Sequence, residues 1–412
     1  MSQNAKSKTF TVALSMVICL FFLWAISNNL LSSVVKKMMT LFDIDQAKAE
    51  FVETSYWFAY FLFPIPIAMF MKRFSYKAGI VLGLLIAAVG GLLIAAVGGL
   101  LFMPVTRMHS FPLYLCAFFI VAIGMCFLET AANPYVTELG DPATAPRRLN
   151  LAQAFNGLGA FIAAMFLSKI ILGTEATNTV EQEIHTFRLT YAIFAIVLIV
   201  IAIVFIFTRL PRIQAEDADE GSTKLISFKV LKRSHLRNGV IAQFFYNGGQ
   251  TAVNSLFLVY CINYVGMTNS QATTFFGFYM LFFLLGRWIG TTLMVKFRPE
   301  NMLVFYGIAN VLLCIFVCVI GGKAAVFAMM GISFFMSIMY PTQFSLALTD
   351  LKGDTKSGSA FLVMAIVGNS ILPILTAYVQ KSMANPNIAY VIPLICFAVC
   401  AWYGWKGHKV VD

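Results

Sequence analysis

The sequence predicts an all-α integral membrane protein of twelve transmembrane helices, arranged as two six-helix bundles with both termini in the cytoplasm. Three observations lead there. The chain of 412 residues is 60% hydrophobic and only 11% charged, whereas soluble domains carry about 25% charged residues. Apolar runs of roughly 20 residues recur from end to end, each long enough to cross a hydrocarbon core of ~30 Å. The basic residues gather in alternate loops. A transmembrane barrel is excluded, because its strands would be ~10 residues long and alternate with period two.

The expected spans are 10–35, 50–71, 79–103, 111–138, 149–172, 186–208, 239–264, 270–295, 302–321, 324–348, 357–381 and 387–405. Lys6 and Lys8 before the first run resemble a signal peptide. The run lacks a small-residue cleavage site and continues too far, so it reads as an uncleaved helix. With the N-terminus in the cytoplasm, twenty of the 29 Lys and Arg residues fall in cytoplasmic segments, which sets the orientation. The net charge of +11 mostly reflects this bias. The cations are spread over separate short loops rather than one face, so nucleic acid is not an expected partner.

The third span carries a tandem octapeptide, GLLIAAVG at 83–90 and again at 91–98. From about Tyr76 to Met103 the segment is ~27 residues, or roughly 40 Å of helix. One copy exceeds what the bilayer requires. Eight extra residues lengthen a helix by ~12 Å and rotate its remaining turns by about 80°. The expectation is therefore a duplicated insertion in a scaffold helix rather than a small-residue packing device.

The longest polar stretch, 210–238, divides the spans six and six. It begins acidic, with Glu216, Asp217, Asp219 and Glu220, and ends basic. It reads as a solvated linker with a surface helix. The expected domains are a first bundle (1–208), a linker (209–238) and a second bundle (239–412). Such an arrangement places a ligand near the midplane, between two bundles that rock to give alternating access. The eight cysteines lie in apolar helices with no histidine in a span to join them as ligands, and read as inert buried thiols. No metal or other cofactor is expected.

Ionisable groups are costly in a bilayer and mark function by default. Glu129, in CFLETAANPY, lies deep in the fourth span, and Glu53, in AEFVETSYWFAYF, lies about a turn inside the second. Burial raises a carboxyl pKa, so such a group can take a proton on one side of a membrane and release it on the other. The alternatives are a carboxyl that pairs two helices, for Glu129, and an exposed interfacial acid, for Glu53. The amides form a set. Gln243, Asn247, Gln250 and Asn254 follow i, i+4, i+7, i+11 along one helical face, with Tyr246 adjacent. Ser27, Asn28, Asn29, Ser32 and Ser33 cluster in the first span, and Gln153 and Asn156 share a face in the fifth. Amides can join helices, but so many facing one interior suit a ligand rich in hydroxyls. Trp57, Phe245 and Tyr246 could stack on a sugar's C–H face. Pro64, Pro66, Pro134, Pro341 and Pro373 are expected to interrupt helices, and Gly248–Gly249 to loosen the seventh.

LETAANPYVTELG (128–140), RLNLAQAFNGLGA (148–160), AQFFYNGGQTA (242–252), MSIMYPTQFSLAL (336–348) and LKGDTKSGSAFLVM (351–364) resemble the fucose–galactose–hexose:proton symporter family of the major facilitator superfamily. The resemblance runs from the first span to the last. It implies the major facilitator fold and a proton-driven monosaccharide importer in a bacterial inner membrane, with sugar, protons and the lipid bilayer as partners. A monomer is expected. In that family the acid of LETAANP, here Glu129, is a coupling and substrate residue. The amide of NLAQ, here Gln153, contributes to the sugar site, and the Gln of the seventh-helix motif is Gln250. The first helix departs from the pattern. Fucose-type members read NNLND where this chain reads NNLLSS: Asn29 is retained, and Ser32 takes the acid's place. Either Glu129 couples alone or Glu53, where those members have glutamine, substitutes. A further alternative is an uncoupled or sodium-coupled carrier.

Other classes fit less well. An exporter of amphipathic compounds would have a mainly apolar site, not an amide-rich helix. A sugar sensor would need a soluble output module. An enzyme would need an activated nucleophile, a metal cluster or a phosphate cradle.

Overall fold

The computed structural model describes residues 10–27, 51–97, 107–163, 180–211, 226–383 and 385–410. At a few helix ends, Glu53 among them, it describes the backbone alone. Among the described residues every regular element is helical. In chain order these are α1 (Phe10–Ser27), α2 (Phe51–Leu62), α3 (Pro64–Arg73), α4 (Tyr76–Val97), α5 (Arg107–Glu138), α6 (Ala145–Ile162) and α7 (Val180–Phe207). They continue as α8 (Ser234–Asn263), α9 (Asn269–Leu293), α10 (Pro299–Ile320), α11 (Gly322–Met336) and α12 (Met339–Ala347). The last are α13 (Thr355–Met364), α14 (Gly368–Ser382) and α15 (Val391–Trp402). Nine helical stretches among the described residues are long and apolar enough to cross a membrane. The other three expected spans hold α2 with α3, α6, and α8. Proline breaks the first of these, and the amide row lowers the hydropathy of α8.

The prolines act in two ways. Pro64 opens α3 after a break at Phe63, which is bridged by Phe63 N–H to the Ala59 carbonyl and Ile67 N–H to the Phe63 carbonyl, both 2.9 Å. Pro341 lies in the first turn of α12, just past the break that ends α11. Pro134 and Pro373, expected to interrupt helices, sit inside continuous α5 and α14. A bilayer interior penalises opening any further backbone hydrogen bonds, so the helix carries the proline. The glycine pair Gly248–Gly249 likewise leaves α8 unbroken. It admits Leu372 of α14 on one side and Cys396 of α15 on the other.

The chain forms two compact units. One comprises Met1–Tyr135 with Leu158–Ile226, the other Val136–Gly157 with Ser227–Asp412. In the first, α4 packs along α7 and the two helices clamp each other's ends. Lys77 Nζ of α4 donates to the carbonyls of Ile206 (2.9 Å) and Thr208 (3.0 Å), and Arg188 Nε of α7 donates to the Ala95 carbonyl (2.9 Å). Both cations meet the negative end of a helix. The octapeptide lies inside this packing. A Cβ on Gly83 would sit 2.6 Å from Phe127 and one on Gly90 2.6 Å from the Val121 nitrogen, while Gly91 faces Ala195 of α7. Gly83, Ala87 and Gly90 thus form a small-residue seam against Gly124 and Val121 of α5. This corrects the expectation that the segment holds no small-residue packing device, and the seam needs only the first copy. Equivalent letters of the two copies differ as an 80° rotation requires: Leu84 and Ala88 are buried, Leu92 and Ala96 exposed.

In the second unit α8 packs against α14, α15 and α12. Gly239 lies against Ala347 and Tyr403, and the Tyr260 hydroxyl donates to Asn387 Oδ1 at 2.8 Å beyond the helix's far end. The short segment 136–157 belongs to this unit. The Thr355 hydroxyl donates to Glu138 Oε1 (3.2 Å), Asn150 Nδ2 to Thr342 Oγ1 (3.0 Å), and the Phe155 and Trp288 rings meet at 5.4 Å.

Candidate functional site

Glu129 stands on α5 in the first unit, 2% exposed, and is the only buried Asp or Glu among the described residues. Its carboxyl is close enough to Tyr56, Tyr60 and Cys126 to interact electrostatically with each. Those tyrosines are one turn apart on α2, stacked with ring centroids 5.8 Å apart. Tyr60 accepts a hydrogen bond from Trp24 Nε1 of α1 at 3.2 Å. Thr130 and Asn133, both fully buried, flank the acid along α5. The carboxyl therefore lies in a setting of phenols, with an indole behind them. Trp24, Tyr56 and Tyr60 were not singled out from the sequence. The signal available was the i, i+4 tyrosine pair in VETSYWFAYF, which an aromatic-rich chain hides.

Asn29 and Ser32 lie outside the described residues, and so does the Glu53 side chain. The backbone places Glu53 in the first turn of α2, seven residues before Tyr60.

In the second unit the amide row of α8 divides by task. Gln243 is fully buried and donates through Nε2 to the Tyr340 carbonyl at 2.8 Å. The Tyr246 hydroxyl donates to the Met336 carbonyl at 3.0 Å. Asn247 Nδ2 donates back to the Gln243 carbonyl at 2.7 Å and to its Oε1 at 3.3 Å. Asn254 accepts from the Tyr279 hydroxyl through Oδ1. Gln250 and Asn254 are half-buried, and beside them Thr251 donates to Asn369 Oδ1 of α14 at 2.7 Å.

Arg287 of α9 explains why so many donors point at one place. It is 4% exposed, and its Nε donates to the Ser337 carbonyl at 2.7 Å. Pro341, four residues on, has no N–H to satisfy that carbonyl. Together Tyr246, Gln243 and Arg287 supply donors around the α11–α12 break, where the helix's own ladder fails. The other arm of Arg287, Nη1, donates to the Gln153 carbonyl at 2.7 Å, and the guanidinium lies 4.5 Å from the Phe283 ring centroid. Gln153 is 3% exposed and Asn156 half-buried, one turn apart on α6. Arg287 falls inside the eighth expected span, and its task rests on its nearness in space to Ser337 and Gln153, which the sequence does not show.

A membrane-spanning bundle of broken helices, with a buried acid in one unit and an amide-rich helix in the other, defines a membrane transporter rather than an enzyme. Comparison with known proteins agrees. The Major Facilitator Superfamily model matches residues 16–377. The L-fucose-proton symporter of Escherichia coli (strain K12) is 34% identical over 96% of this chain and 92% of its own length. A glucose/galactose transporter of Brucella abortus is 32% identical over 99% and 97%. A crystal structure of the E. coli fucose:proton symporter superposes with a TM-score of 0.85 at 33% identity, covering 98% of this chain and all of that one. The chain is a multi-pass membrane protein and belongs to the Major Facilitator Superfamily, in the fucose–galactose–hexose:proton symporter family.

Proposed function

We propose that this protein imports a monosaccharide across a bacterial inner membrane by alternating access, driven by protons. The observation that carries the reading is Glu129, a buried acid beside two tyrosines. A carboxyl there is costly when ionised and inexpensive when protonated, so loading it with a proton stabilises one arrangement of its surroundings over the other. The relatives that span the whole chain, a fucose-proton symporter and a glucose/galactose transporter, support a hexose or deoxyhexose as cargo, with an amino sugar also open. Substrate binding is assigned to Asn29, Gln153, Asn156, Gln250 and Asn254, whose amides can donate to and accept from sugar hydroxyls, and to Glu129, whose carboxyl oxygens accept from them. Gln243, Tyr246 and Asn247 contribute chiefly by holding the backbone on which the others stand. The protein works as a monomer, with both termini cytoplasmic.

Ser32 in the position of the family's acid favours a second reading in coupling only: an uncoupled or sodium-driven carrier. Both are tested in proteoliposomes by counterflow of labelled monosaccharides, then by uptake with a pH or a sodium gradient. Symport with protons gives accumulation that depends on the pH gradient. Glu129→Gln is expected to abolish accumulation while leaving counterflow measurable, and Glu53→Gln shows whether that acid shares the proton. Absence of counterflow with every monosaccharide would overturn the proposed cargo.

A further inference from the structure

The second unit carries a groove on its side, about 350 Å³ in volume. Ile241, Phe244 and Phe245 of α8 line one wall, and Phe361 and Met364 of α13 the other. The lining is almost wholly apolar, and Ile241 on its wall is 43% exposed, so the groove is open on that side rather than sealed within the unit's core. At one end it meets a cluster of cations. Residues Phe228–Lys232 form a short 3-10 turn against the first turns of α8 and α13. The Phe228 ring stands 5.4 Å from that of Phe361, and the Ser227 N–H donates to Ser357 Oγ at 3.3 Å. The turn carries Lys229 and Lys232, and Arg233 and Arg237 come next along the chain; all four are exposed. Arg237 precedes Ile241 by one helical turn and shares its face, so it sits at the groove's mouth. Among the described residues none of the four forms an ion pair, and Arg233 is occupied with the Asp350 carbonyl at 2.7 Å.

We propose that this groove and its basic rim bind one anionic phospholipid, an acyl chain lying along Ile241, Phe244 and Phe361 and the phosphate held by Lys229, Lys232 and Arg237. The apolar wall alone would take any lipid tail. The charge at its end selects the head group, because basic residues at the membrane surface attract anionic lipid. The rim lies in the linker that the distribution of basic residues assigns to the cytoplasm, the leaflet face on which such clusters act.

The purified full chain in mild detergent is titrated with phosphatidylglycerol or with phosphatidylcholine of the same acyl chains, and retained lipid is counted by native mass spectrometry. The wild type is expected to favour phosphatidylglycerol by about fivefold or more, the effect of at least one surface cation. Lys229→Gln/Lys232→Gln/Arg237→Gln, all on the surface, removes the preference and leaves weak binding of both lipids. Ile241→Trp fills the groove and weakens both lipids alike. Melting temperature and monodispersity in the absence of lipid check that each variant is folded. Equal retention of the two lipids by the wild type, or a preference that survives the triple substitution, overturns the proposal.

Discussion

Arg287 shows how a permanent charge is kept in an apolar interior by backbone carbonyls. Its two fixed arms reach two of them, at Ser337 and Gln153, and its face is covered by Phe283. Planarity is what makes this work, since a guanidinium presents several donors in a rigid fork and an ammonium does not. Arg287→Lys keeps the charge but bridges only one carbonyl. Losing one hydrogen bond from a charged donor costs about 1.5–3 kcal/mol, so the variant should melt several degrees lower in detergent. Sugar counterflow should fall with it, because Gln153 is held through the same group. An unchanged melting curve would mean that the fork is dispensable. Glu129 is the complementary case: it is buried beside the phenol rings of Tyr56 and Tyr60. Such a setting suits an acid that must change its protonation state during transport.

At the scale of elements, α4 decides how the octapeptide repeat is understood. Its glycines Gly83 and Gly90 bring the backbone against α5, and Gly91 brings it against α7. Deleting either copy yields the same sequence, and in that product Gly83, Ala87, Gly90 and a glycine at position 91 all remain. The first change comes where Ile94, fully buried, is replaced by Phe102. The deletion variant should therefore insert and fold with a melting temperature close to wild type. Gly90→Leu should not, because overpacking a tight helix contact costs about 1–3 kcal/mol or more. Expression and thermal melting of the two variants side by side would decide. If the deletion melts like Gly90→Leu, the second copy carries packing that the seam through Gly91 does not account for. The glycine pair of α8 teaches the same lesson, since glycine in a bilayer helix is more often a close contact than a flexible joint.

For the whole molecule, the distribution of basic residues predicts that both termini face the cytoplasm. Lys409→Cys, in a variant whose eight native cysteines are replaced by serine or alanine, should react with a membrane-impermeant thiol reagent in inside-out vesicles and not in intact cells; labelling in intact cells would reverse the orientation. Each of the twelve spans expected from the sequence is mainly helical where it is described, with breaks at Phe63 and at Ser337–Ile338. That much was legible because a span must satisfy its own backbone hydrogen bonds and match the bilayer thickness, both local demands. The buried acid was legible for a related reason, as a carboxyl amid apolar residues stands out whatever its neighbours are. The tasks of Gln243 and Tyr246 were not legible, since amide spacing shows only that side chains share a face. The carbonyls they meet, at Tyr340 and Met336, lie some ninety residues away in the chain. Nor was the grouping of residues 136–157 with the second unit, which rests on contacts such as Asn150 to Thr342 and Arg287 to Gln153. The sequence by itself determined the class of protein, its membrane spans and the buried acid, because hydropathy and charge burial are properties of short segments. Only the tertiary structure decided which polar groups hold the backbone and which are left to meet a ligand, because that depends on carbonyls freed at distant helix breaks.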